Sequence, residues 1–201
     1  MKKIISAALC TLIMLLCFTA CSSTSNEMTE DNITKTVDKS FEALKGFNTD
    51  ELKKYVDSPT LSIIMGYAEK HQQFSDLGKA IFANLSYEVT NIDIENKKVT
   101  VKILNKDLYE AAGAFADRLK SDYSTFQLLA KLSDDNFLDR KLSELNEDIS
   151  EAPMLGSEIE ITLGIEQGDK NLVLVFGDES EDAVSGGALS AIKSIYGSKI
   201  K

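Results

Sequence analysis

Two stretches of this chain alternate apolar and polar side chains with a period of two, and each is bounded by stretches whose apolar residues recur every three to four positions. Such a chain must build both strands and helices, and its strands come as hairpins. In the first hairpin Leu85, Tyr87 and Val89 share a phase, Ile92 and Ile94 resume in the other, and Val99, Val101 and Ile103 return after Glu95-Asn96-Lys97-Lys98. The slip at Thr90-Asn91 predicts a β-bulge that bends the sheet. In the second, Ile159, Ile161, Leu163 and Ile165 alternate, Gln167-Gly168-Asp169-Lys170 turns, and 172–176 returns with every position apolar. That last strand is expected to be central and covered on both faces.

Helices are predicted around these hairpins. The first, over 29–45, carries the stripe Ile33, Val37, Phe41 and Leu44 and is stopped by Gly46; the second opens at Asn48 with Glu51 three positions on. A third begins at Ser58-Pro59 and is expected to run to about 83, kinked near Gly66 or Gly78. Between the hairpins a helix over 107–131 carries Leu108, Ala112, Phe115, Leu119, Phe126 and Leu129, and another carries Leu138, Leu142, Leu145 and Ile149. Residues 177–187 read as an acidic loop and 188–196 as a short closing helix. The expected fold class is therefore α+β, a curved four-stranded antiparallel sheet of two hairpins packed on helices, cone-like in outline.

The N-terminus carries an address rather than a fold. Lys2 and Lys3 precede an uncharged run from Ile4 to Cys21, a secretory n-region and h-region. The run closes on Phe18-Thr19-Ala20-Cys21, which resembles a bacterial lipobox, with Phe18 in place of the usual leucine. The resemblance implies that Cys21 is the lipidation site and the first residue of the mature chain, acylated by palmitate-like chains. Cys10 and Cys17 lie inside the run and leave with it, so neither a disulfide nor a thiolate metal cluster is available to the mature protein. Two acyl chains hold stably where one does not. Ser22-Ser23-Thr24-Ser25-Asn26 and the polar residues after it read as a tether. The expected organisation is 1–20 signal peptide, 21–31 lipidated cysteine and flexible tether, and 32–201 a single domain on the extracytoplasmic face of the cell membrane.

Charge narrows the partners. The net charge is −10, and 134–182 holds 15 acids against Arg140, Lys141 and Lys170. Phosphate backbones are repelled by such a surface, so nucleic acid is excluded as a partner. The element order, the bulged hairpin and the lipobox together resemble small lipoproteins of Firmicutes-type bacteria whose ectodomains are similar to the cystatin-like, nuclear-transport-factor-2-like cone.

The inventory for chemistry is thin: no nucleophile elbow, zinc helix, phosphate loop or dinucleotide fingerprint occurs. His71 is the single histidine, and with Tyr67 and Phe74 it falls at helical spacing, making these three the candidate pocket residues. Related cones imply isomerase-like proton transfer by a carboxyl in an apolar pocket, for which Asp93, Glu88 and Glu110 are the nearest candidates. Asp178-Glu179-Ser180-Glu181-Asp182 lacks the alternating pattern of a calcium loop and reads as acidic surface. No cofactor, metal or catalytic residue is assigned. The expected function is non-enzymatic binding or scaffolding, with an envelope protein as partner. The alternatives are a carrier of a small apolar ligand and an isomerase or hydrolase.

Overall fold

The computed structural model describes residues 25–131 and 133–196; the signal peptide expected over 1–20 and the expected lipidation site Cys21 lie outside the described residues. Thr29 caps the first helix, α1 (Glu30–Gly46), its side chain accepting from the Asn32 amide. The stripe Ile33, Val37, Phe41 and Leu44 is wholly buried against the sheet. The stop differs from expectation. Gly46 stays helical and Phe47 takes the left-handed conformation, φ 44° and ψ 48°, its amide turned back to the last carbonyls of the helix.

Asn48 then accepts from the Glu51 amide and opens α2 (Thr49–Tyr55), which runs directly into a two-residue strand, β1 (Val56–Asp57). Ser58 caps α3 (Pro59–Ala68), with proline at the start. The single kinked helix expected to about 83 is two helices: the chain breaks over 69–71, and α4 (Gln72–Phe82) follows. Gly66 and Gly78 both remain helical.

The first hairpin, β2 (Ser86–Asp93) and β3 (Lys98–Leu104), shifts register between Val89 and Asn91, where the bulge was expected. The predicted long helix over 107–131 is also divided. Tyr123 is extended between α5 (Tyr109–Asp122) and α6 (Thr125–Lys131), and beyond it Phe126 is 82% and Leu129 63% exposed instead of continuing the stripe. Asp134 caps α7 (Asp135–Glu151). The second hairpin is β4 (Ile159–Gln167) and β5 (Leu172–Val175). The expected acidic loop contains a helix, α8 (Asp178–Val184), followed by α9 (Ala188–Tyr196) as predicted.

The fold class is α+β, with an open five-stranded mixed sheet in the order β1-β5-β4-β3-β2. The four expected strands pair antiparallel, and β1 adds a fifth, parallel to β5. β5 therefore lies second from the edge. Its Leu172 and Leu174 are buried while Val173 and Val175 are only half-buried, so one face is covered, not both. Val99, Val101, Ile103, Leu163 and Ile165 join them in the main core. Phe41 stacks on Tyr87 at 4.4 Å between ring centres.

Part of the segment 21–31, expected to be a flexible tether, contacts the domain. Asn26 donates to the carbonyls of Gly168 and Asp169, Gln167 donates to the Asn26 carbonyl at 2.9 Å, and Met28 packs on the core. The chain is thus fastened to the β4–β5 turn before α1 begins. Among the described residues no helix is long and apolar enough to cross a membrane.

Candidate functional site

A second, smaller core of Leu108, Ala112, Ile149, Ala188 and Ala191 forms away from the sheet, between helices. Against it lies a cavity of about 230 Å³. α3 contributes Leu61 and Ile64, α4 contributes Phe74, Leu77, Ile81 and Phe82, and α7 contributes Leu145 and Ile149. Val184, Ala188 and Leu189 close the side formed by α8 and α9. Among the described residues no strand residue lines it, so the chamber sits among helices and not inside a sheet-walled cone.

Asn105 holds the frame behind it. This wholly buried side chain donates to the carbonyls of Ile81 at 3.0 Å and Val184 at 2.8 Å, and accepts from the Lys106 amide. One amide thereby joins the end of β3 to two walls, and every polar atom it buries is matched.

Among the described residues the single charged group on the wall is Glu181, only 3% exposed. Its Oε1 accepts from the Ser58 hydroxyl and from the Thr60 amide at 3.1 Å, and its Oε2 accepts from the Thr60 hydroxyl at 2.5 Å. Ser58 in turn accepts from the Leu61 amide at 3.1 Å. The carboxylate thus sits on the amino end of α3, where free amides and the helix dipole favour an anion. Ser180 positions α8 for this, its hydroxyl exchanging hydrogen bonds with Gly177. The wall's remaining hydroxyl, Ser185 Oγ, donates to the Asp182 carbonyl at 2.9 Å. The polar wall atoms are spent on the protein, and what faces the interior is hydrocarbon.

Of the three candidates read from spacing, Phe74 lines the cavity and Tyr67 and His71 do not. Tyr67 is exposed, and its ring is tilted by 31° to that of Phe74 with the centres 5.3 Å apart. His71 precedes α4 and its Nδ1 lies 3.1 Å from Asp135 on α7. The carboxyl candidates stand elsewhere. Glu88 and Glu110 are exposed, and Asp93 is the last residue of β2 before the hairpin turn, where hydrogen bonds from the Asn96 side chain and then its amide hold the carboxyl below its ordinary range.

Within the acidic segment Asp182 accepts from the Ser190 amide and hydroxyl, tying α8 to α9. Among the described residues no group of three or more His, Cys, Asp or Glu is placed to hold a metal ion. Glu181 is the functional group that composition concealed. Its spacing to Val184, Ser185 and Ala188 is helical, but its partners lie more than a hundred residues earlier in the chain.

The chain matches no protein-family model, no curated protein and no solved structure. Its function rests on the geometry just described.

Proposed function

We propose that this protein is a membrane-tethered extracytoplasmic lipoprotein whose domain carries a small apolar ligand in the interhelical cavity. The observation that carries the reading is the cavity itself: about 230 Å³ lined by Phe, Leu, Ile and Val side chains from five helices. A well-packed interior leaves few voids larger than a water molecule, and a dry apolar hole of this size forgoes dispersion contacts that a ligand restores. Pockets of this kind between helices are a common place for small-molecule binding. The lipobox-like Phe18-Thr19-Ala20-Cys21 supports the tethered location.

A catalytic reading has less to stand on. The buried carboxylate Glu181 and the histidine His71 do not share a wall, and Glu181 is occupied by three donors from α3 and its cap.

The test is calorimetric titration of the full chain with 1-octanol, alongside Ala112→Leu and Ala188→Leu, which put extra methylenes into the space from two different helices. The wild type is expected to bind. Each variant is expected to lose most of that affinity while holding or raising its melting temperature, because filling a void restores packing. Heats indistinguishable from dilution in the wild type would remove the reading.

A further inference from the structure

We propose that Glu181 makes the cavity selective for uncharged ligands of about octyl length and excludes their carboxylate counterparts. This rests on the reading of the cavity as a ligand site and names the class of occupant. Size gives the length: an apolar cavity of roughly 150 Å³ holds benzene, so 230 Å³ corresponds to about nine non-hydrogen atoms, those of an eight-carbon chain with a single-atom head.

Charge and hydrogen bonding give the head group. A buried anion needs donors or a counter-ion. The donors nearest the carboxylate, the Ser58 hydroxyl and the Thr60 amide and hydroxyl, already converge on Glu181. Ser185 is engaged with the Asp182 carbonyl. Among the described residues no Lys, Arg or His lines the cavity. The nearby ammonium of Lys106 is turned away to the carbonyls of Ile149 and Ser150, at 2.9 and 2.8 Å. A fatty acid would therefore bring a second carboxylate into a low-dielectric space beside the first with nothing to neutralise it, and like charges there repel strongly. An uncharged head of the same shape escapes that repulsion. Selectivity of this kind comes from the repulsive element in the wall more than from any added attraction.

The experiment titrates the full chain with 1-octanol, octanoate and octanamide at pH 7.5, the last matching octanoate in shape without its charge. Octanol and octanamide are expected to bind at least about tenfold more tightly than octanoate, and Glu181→Gln is expected to shrink that preference to a few-fold. Equal affinities for octanol and octanoate would overturn the selectivity while leaving the cavity a ligand site. So would octanamide binding as poorly as octanoate, since charge would then not be the discriminator; this comparison uses the wild type alone and holds even if Glu181→Gln does not fold. A preference that persists undiminished in a folded Glu181→Gln removes Glu181 from the role. Failure of all three compounds to bind the wild type counts against the cavity reading itself.

Discussion

Phe47 occupies the left-handed region, which costs a non-glycine residue about 1–2 kcal/mol, although Gly46 stands one position earlier. The cost is accepted because the phenyl ring, 3% exposed, stacks over Phe82 and lies on the bare backbone of Gly78, where a Cβ would come within 2.4 Å of it. Burying an aromatic ring of this size outweighs the strain. Tyr87 is another residue whose setting governs its chemistry. Burial first, and then the Asp38 carboxylate accepting its proton at 2.8 Å, push the phenol above its ordinary value. In the unfolded chain tyrosine ionises near pH 10, whereas in the fold Tyr87 stays neutral beyond it. Stability linked to this residue is therefore whole below about pH 10 and declines as pH rises past it. Urea unfolding from about pH 8 to 11 should show that decline, and Tyr87→Phe should flatten it. A variant whose alkaline slope matched the wild type would refute the assignment.

At the scale of elements, the joint between α8 and α9 is the least forgiving. Gly186 has φ of 63°, its carbonyl accepts from the Leu108 amide at 2.8 Å, and a Cβ there would lie 2.0 Å from the Lys106 carbonyl oxygen. Gly186→Ala should cost about 3 kcal/mol or more, the sum of backbone strain and overpacking. It should also displace Leu108 from the cavity wall, lowering both the urea midpoint and octanol affinity; retention of both would contradict the geometry. Signals that are local were legible in the sequence: the caps at Asn48 and Ser58-Pro59, the bulge between Val89 and Asn91, and the stripe of α1. The helix breaks were not, because Glu69-Lys70-His71 and Tyr123-Ser124 contain neither glycine nor proline. Phe126 and Leu129 kept helical spacing across the second break and so misled the reading. The first break also explains why only Phe74 of the candidate trio reached the cavity, since Tyr67 belongs to a different helix from Phe74. β1 is too short to show a period, and the Glu181 contacts span a sequence distance no local pattern records.

For the whole molecule, the net charge of −10 keeps the surface anionic, and the ion pairs on it, such as Lys35–Asp31 and Lys54–Glu51, are exposed and contribute little to stability. The membrane tether proposed above would rest on acyl chains at Cys21. Cys21→Ser expressed in a bacterial host that processes lipoproteins should abolish palmitate labelling and move the protein from the membrane to the soluble fraction. Continued labelling would displace the anchor from this sulfur. The fastening of Asn26 to Gly168 and Asp169 has a mechanical corollary. With Cys21 acylated, only four residues separate the lipid from the first fixed point, a leash of at most roughly 18 Å. That fixed point stands at the beginning of β5, whereas Glu181 follows its end, one strand's length further on. The domain would stand on its hairpin turn with the chamber raised above the lipid surface, so a guest would enter from the surrounding water and not by sliding sideways out of the bilayer.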